Sequence, residues 1–194
     1  MKRYPEQEKL YHEFLEKYEV SAGLRPPEDL FVLLEEVEKL KPNSNYVEFG
    51  IAQGCSLVSV LNFRKDINCY GIDDTTKPII EKIISDINPP NLTLFLNQKS
   101  EDLCKTWDKE IDLLFIDGGH YFPNVFWDFV GWWPHVKEGG TIIFHDFEEV
   151  GNDKFDVGKA LNIIYGHPKY NCHVPARDDC ISTSMFIIKK DKKL

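Results

Sequence analysis

The sequence predicts an α/β protein: a doubly wound, seven-stranded sheet, mostly parallel, with one antiparallel strand near the C-terminus and helices on both faces. Three observations predict it. From residue 46 onward, apolar runs of strand length alternate with helical stretches, the pattern of repeated β-α units. The run Ile111 to Ile116 is apolar throughout except Asp112, as in a strand covered on both faces. The last two strand-like runs, 170–174 and 183–189, have only a loop between them. Parallel neighbours need a longer crossover, so one of that pair runs antiparallel.

The elements follow in order. Residues 7–18 are charged and aromatic and read as a helix that Ser21-Ala22-Gly23 ends. Pro26-Pro27-Glu28-Asp29 opens a second helix, with proline and acids where a helix start favours them. Leu30, Leu33, Leu34, Val37 and Leu40 give it one apolar face, and Lys41-Pro42-Asn43-Ser44 closes it. Strands are then expected at 46–49, 68–72, 92–96, 111–116 and 141–145. Helices are expected at 54–63, 77–86, 100–107, 123–136 and 156–165. Asn88-Pro89-Pro90 stops one of them, and Glu138-Gly139-Gly140 turns the aromatic helix into the fifth strand. The length of 194 residues suits one α/β domain, 1–194. Within it, 1–42 are N-terminal helices and 43–194 the core.

Composition narrows the function classes. The formal net charge is −9 and no basic stripe is present, which argues against a nucleic-acid partner. Lys189, Lys190, Lys192 and Lys193 read as a solvated tail. Five cysteines (Cys55, Cys69, Cys104, Cys172, Cys180) form no C-x-x-C pair, as expected of reduced thiols in a cytoplasmic protein. No apolar run follows the N-terminus as in a signal peptide, and none is long enough to span a membrane.

In open sheets of this type the ligand lies beyond the carboxyl ends of the strands, so the loops after residues 49, 72, 96, 116 and 145 are the candidates. The first is Glu48-Phe49-Gly50-Ile51-Ala52-Gln53-Gly54-Cys55-Ser56. Gly50 and Gly54 allow sharp turns and close approach, and the next helix offers unpaired N–H groups. A dinucleotide fingerprint counted from Gly50 needs glycine at 52 and 55, where the chain has Ala52 and Cys55. Ala52 is a tolerable replacement only if it avoids positive φ. The second loop brings Asp73 and Asp74, and an acid there can accept from both ribose hydroxyls. The third carries Lys99 and Ser100, where Ser100 bonds a base or caps the following helix. The fourth is Asp117-Gly118-Gly119-His120, and the fifth ends in His145-Asp146.

Taken together these motifs resemble the methyltransferase-24 branch of the class I S-adenosylmethionine-dependent methyltransferases, which includes macrocin and sugar O-methyltransferase relatives. The resemblance rests on the E-x-G-x-A-x-G loop, Asp117-Gly118-Gly119-His120, Trp132-Trp133-Pro134, Lys137-Glu138-Gly139-Gly140, His145-Asp146, and Val157-Gly158-Lys159-Ala160-Leu161. It runs from residue 46 to 164, with Asp156 where the branch has a glycine. It implies a Rossmann-like fold and S-adenosylmethionine as cofactor. It implies cofactor contacts from Glu48, Gly50, Ile51, Ala52, Gly54, Ser56, Asp73, Asp74, Lys99, Ser100, Asp117 and Gly118, with Glu48 orienting the methionine amino end.

The chemistry implied is O-methylation of a small hydroxylated molecule or sugar. His120 or His145 is then the base, with Asp146 beside them. A second route has Asp117 and Asp146 share Mg²⁺. Catechol-type relatives have Asn where this chain has Phe147. Tyr121 and Phe122 are expected near the ligand, and Phe126, Trp127, Trp132 and Trp133 mostly on the sheet. Two alternatives remain: a non-catalytic adenosyl-ligand-binding module and an NAD-dependent oxidoreductase. The short chain leaves an open cleft, which points to completion by a partner subunit in a homo-oligomer.

Overall fold

The computed structural model describes residues 2–24, 28–147, 157–165, 167, 169–175 and 184–191. Strands β1 (Asn45–Phe49), β2 (Asn68–Asp73), β3 (Leu92–Leu96), β4 (Ile111–Ile116), β5 (Val136–Phe144), β6 (Cys172–His173) and β7 (Phe186–Lys190) form one sheet. Its order is β3-β2-β1-β4-β5-β7-β6. The pairs from β3 to β5 are parallel. β7 is antiparallel to both β5 and β6, so it alone is reversed, as expected. The strand order turns back between β1 and β4, and that is where a crevice opens.

Helices cover both faces because alternate residues of each strand point to opposite sides. Tyr46, Cys69, Leu113, Phe115 and Ile143 face a cluster that includes Tyr11, Leu33, Leu57 and Ile83. These come from α1 (Pro5–Tyr18), α2 (Glu28–Glu38), α3 (Cys55–Phe63) and α4 (Pro78–Ile87). Val47, Phe49, Leu114, Ile142 and Phe144 face the other cluster, with Val125, Phe129, Trp132, Leu161 and Ile164. Those belong to α6 (Phe122–Trp132) and α7 (Val157–Tyr165). The short α5 (Ser100–Leu103) precedes β4.

Three expected elements differ. The aromatic helix ends at Trp132, not 136, because Pro134 cannot continue it. A 3₁₀ turn, Trp133–His135, follows, and β5 already begins at Val136, running nine residues through Gly139 and Gly140. The helix foreseen to 107 stops at Leu103, and Trp107 instead packs against Tyr70 and Trp132, with ring centroids 5.2 and 5.0 Å apart. The strand foreseen at 170–174 shrinks to Cys172–His173. The helix start at Pro26-Pro27, Asp156, Cys180, Lys192 and Lys193 lie outside the described residues. Among the described residues no helix is long and apolar enough to cross a membrane.

Candidate functional site

A cleft of about 510 Å³ opens at the carboxyl ends of β1 to β4. Its floor is set by backbone crowding. Gly50 has φ +77, and a Cβ there would stand 2.0 Å from the Asp117 carbonyl oxygen. The β1 and β4 loops therefore cross in contact, with Asp117 N–H donating to the Phe49 carbonyl at 3.1 Å. Gly50 is required by this neighbour as much as by any ligand. Gly54, φ +84, starts α3, and a Cβ there would meet Ile80 Cδ1 at 2.6 Å. Ala52 has φ +44, contrary to the expectation that it avoids that region. Its N–H donates to Asp73 Oδ2 at 2.9 Å, which holds the loop in this conformation. Asp73 Oδ1 accepts from Thr75 N–H (2.9 Å) and Oγ1 (2.7 Å). Asp73 and the exposed Asp74 both line the cleft.

On the β3 side, Gln98, Lys99, Ser100 and Glu101 line the same cleft. Ser100 does not cap α5; the cap position is Lys99. Its hydroxyl donates instead to Asp128 Oδ1 on α6, and its carbonyl accepts from Trp132 Nε1 at 3.1 Å. Asp128 is 8% exposed, and burial pushes its carboxyl up to about 6, against the pull of Ser100. Trp127, beside it, is 57% exposed and lines the cleft rather than the sheet. Phe122 stacks on Phe126 and Tyr121 points to solvent at 63% exposure; neither lines the cleft.

On the β4–β5 side, Asp117, His120 and Asp146 bring ligand-type atoms within 4.8 Å of one another. His120 Nε2 lies 3.1 Å from Asp146 Oδ2 and 3.7 Å from Asp117 Oδ1. Its pKa is raised by Asp117, against burial and with help from Asp146. Behind this group is a buried relay of polar contacts. His145 Nδ1 is 2.8 Å from Asp117 Oδ1 and Nε2 is 3.3 Å from Asp29 Oδ2 of α2. Asp29 is wholly buried and accepts from Ser184 N–H (3.0 Å) and Oγ (2.7 Å). Burial opposes charge on His145, but Asp117, Asp146 and Asp29 outweigh it and push its pKa up to about 12. Burial likewise opposes charge on Asp146, yet His145 holds its pKa below the usual value.

A family model described as a methyltransferase domain matches residues 47–147, just over half of the 194 residues. The chain belongs to the methyltransferase-24 family. It is 29% identical over 119 residues to an uncharacterized protein of Acanthamoeba polyphaga mimivirus, a match covering 56% of this chain and 54% of that one. The chain thus spans about half the length of that curated relative. A candidate O-methyltransferase from Klebsiella pneumoniae superposes with a TM-score of 0.74 at 12% identity, covering 96% of this chain and 90% of that one. MycE methyltransferase of the mycinamycin biosynthetic pathway, solved with Mg, SAH and mycinamycin VI, gives 0.65 at 15% identity, covering 94% and 54%. Identities this low establish the shared fold alone.

Placed in a methyltransferase-24 domain, the foreseen residues divide into two groups. Gly50, Ala52, Asp73, Asp74, Lys99, Ser100, Asp117, Gly118 and His120 share the cleft wall. Glu48, Ile51, Gly54, Ser56, His145 and Asp146 do not. Glu48 is fully buried and accepts from Tyr46 Oη (2.6 Å) and Ser56 Oγ. Burial raises its carboxyl to about 8, against both hydrogen bonds. It lies on the same face of β1 as Tyr46, toward the α1–α4 cluster. His145 is 5% exposed with both ring nitrogens engaged, and it does not line the cleft. Phe147 packs on Phe186 and replaces no polar ligand. Asp128, Asn124, Trp127, Gln98 and Glu101 line the cleft and were not foreseen. An acid set in the apolar run Val125 to Val130 was the available signal for Asp128.

Proposed function

We propose that this chain is an S-adenosylmethionine-dependent methyltransferase that methylates a hydroxyl of a small acceptor such as a sugar. The observation that carries the reading is the division of one cleft. Asp73 stands at the end of β2, and the Asp117–His120–Asp146 group stands two strands away beyond β4. In this reading Asp73 accepts from the ribose hydroxyls, with Asp74, Lys99 and Ser100 toward the base. The Gly50–Ala52 backbone and Gly118 allow the sulfonium end to lie close to the sheet edge. S-Adenosylmethionine supplies an activated methyl group, and the protein supplies alignment, which contributes up to about 7–11 kcal/mol.

His120 is the only cleft-lining histidine among the described residues and takes the hydroxyl proton. A general base of this kind typically contributes about 10²–10⁴-fold. In a second route the two carboxylates and this imidazole, within 4.8 Å, would instead hold a divalent cation, Mg²⁺ or, given the nitrogen ligand, Mn²⁺, with His120 a ligand rather than the base. When bound, such an ion acidifies an acceptor hydroxyl. In this reading the N-terminal segment 1–42 borders the acceptor, which the contact of Asp29 of α2 with His145 behind Asp117 supports. An acceptor without phosphates suits a chain of net charge −9 and a wall carrying Asp73, Asp74, Glu101, Asp117 and Asp128.

The test is calorimetry with S-adenosylhomocysteine and with NAD, followed by methyl transfer to a panel of hydroxylated acceptors with EDTA, Mg²⁺ or Mn²⁺. Binding of S-adenosylhomocysteine and not NAD is expected, with turnover on at least one hydroxyl acceptor. Binding of NAD alone would sink the reading, and cofactor binding with no turnover across the panel would favour a non-catalytic module.

A further inference from the structure

Asp128 is an acid that the proposed transfer chemistry leaves without a task. It sits on α6, where Ser100 of the β3 loop and Gly118 of the β4 loop meet it on the cleft wall. Its carboxylate is buried to 8% exposure. Among the described residues no lysine, arginine or histidine pairs with it, and Glu101 and Asp74 add negative charge nearby. Burying a carboxylate is costly unless its oxygens are hydrogen-bonded.

The two oxygens are used differently. Oδ1 accepts from the Ser100 hydroxyl. Oδ2 turns toward the β4 loop and stands 3.8 Å from where a Cβ on Gly118 would be. That distance is an ordinary contact, so Oδ2 lies against the Gly118 backbone at the cleft wall. A carboxylate can accept about four hydrogen bonds, so Asp128 presents unused acceptor capacity to the cleft. Trp127, the preceding residue, offers an exposed aromatic surface on the same wall.

The adenosyl reading sets the direction of the ligand. With the ribose on Asp73 at β2 and the sulfonium near Gly50 and Asp117 at β1 and β4, the base falls in the remaining sector, beside Gln98, Ser100, Trp127 and Asp128. Adenine presents an exocyclic amino donor there. A 6-oxopurine presents a carbonyl oxygen at the same place, and two acceptors facing each other repel.

We propose that Asp128, held by Ser100, is a specificity-determining residue that reads the amino edge of the purine and selects adenosyl ligands over 6-oxopurine ones. This rests on the adenosyl reading above. A hydrogen bond to a charged acceptor is of the class whose removal costs about one to two decades of affinity.

The experiment is calorimetry of the full chain with S-adenosylhomocysteine and with S-inosylhomocysteine, which differ only at that edge. The wild-type protein is expected to prefer the adenosyl compound about 10- to 100-fold. Asp128→Ala should weaken the adenosyl compound by that factor and leave the inosyl compound unchanged or tighter, so that the ratio approaches one. Asp128→Asn, whose amide can donate to a carbonyl, should bring the ratio to one or below. Ser100→Ala should lower the ratio part of the way. Equal weakening of both ligands by Asp128→Ala, or a wild-type ratio in Asp128→Asn, overturns the proposal while leaving the adenosyl reading in place. Wild-type protein that binds neither compound overturns both. Thermal melts check folding, and if Asp128→Ala does not fold, the Asp128→Asn and Ser100→Ala ratios decide.

Discussion

His145→Ala tests the electrostatic anchor of the site. The imidazole is 5% exposed and bridges Asp29 of α2 to Asp117 of the β4 loop. Removing it leaves two carboxylates without their shared partner. Breaking a buried ion pair by deleting one member costs about 3–5 kcal/mol. For a domain of this length each kcal/mol shifts Tm by about 2–4 °C, so a drop of roughly 6–20 °C is expected. The pH dependence gives a sharper reading. The folded-state pKa of His145, about 12, is raised above the ordinary 6.5. Its contribution is therefore full below the ordinary value and erodes as pH rises toward the folded one. Between pH 8 and 10 the wild type alone loses about 1.4 kcal/mol per pH unit from this histidine. The gap in Tm between wild type and variant, measured by circular dichroism in EDTA, should narrow by roughly 5–10 °C over that interval. A gap that stays constant from pH 8 to 10 would show a neutral histidine in the fold and refute the reasoning.

His120→Asn is expected to lower kcat about 10²–10⁴-fold with little change in S-adenosylhomocysteine affinity. In the wild type the acidic limb of kcat/KM should lie above the ordinary histidine value of 6.5, because Asp117 and Asp146 favour the protonated ring; a limb below 6 contradicts the assignment. Asp73→Asn should weaken S-adenosylhomocysteine about 10- to 100-fold in calorimetry, and unchanged affinity would remove Asp73 from the ribose. Ala52→Gly should leave stability unchanged or raise it by up to about 1 kcal/mol, since φ +44 costs alanine what it does not cost glycine. Gly50→Ala should abolish both a cooperative melt near the wild-type Tm and ligand binding, because its Cβ would meet the Asp117 carbonyl at 2.0 Å; a well-folded, binding variant shows that the loops can part.

The sheet was legible where the strand boundaries are chemically abrupt. β3 follows Asn88-Pro89-Pro90, and β4 is apolar except for Asp112, and both match the expected bounds. The aromatic helix was overrun because apolar spacing continues through Val136 while Pro134 alone carries the stop signal. The strand-end acids Asp73 and Asp117 could be placed on one cleft because the fold delivers such positions to one edge. Glu48 lies off the cleft wall, and its strand parity with Tyr46, which packs in the α1–α4 cluster, was the available signal. The Asp29–His145–Ser184 contacts join residues 116 and 155 positions apart, for which no local pattern exists. Asp128 and Trp127 were hidden for another reason. Their neighbours Val125, Phe129 and Trp132 form the buried stripe of α6, and the sequence carries no signal for which edge of that helix borders the cleft.

The charges around the cleft share one cause. Glu48 and Asp128 are both raised by burial, and each is held by hydroxyl partners rather than by a cation. The buried imidazole of His145, whose pKa Asp117, Asp146 and Asp29 raise against burial, is committed to Asp29 and Asp117. Asp73, Asp74, Glu101, Asp117 and Asp128 leave the wall with excess negative potential, against Lys99 and His120. Such a wall favours a cationic ligand over an anionic one. For the proposed reaction this has a direction. S-Adenosylmethionine carries a sulfonium charge that is lost when the methyl leaves, so the wall attracts the substrate form more than the product form. The costs of burying these acids and the selectivity of the cleft are therefore two consequences of one arrangement.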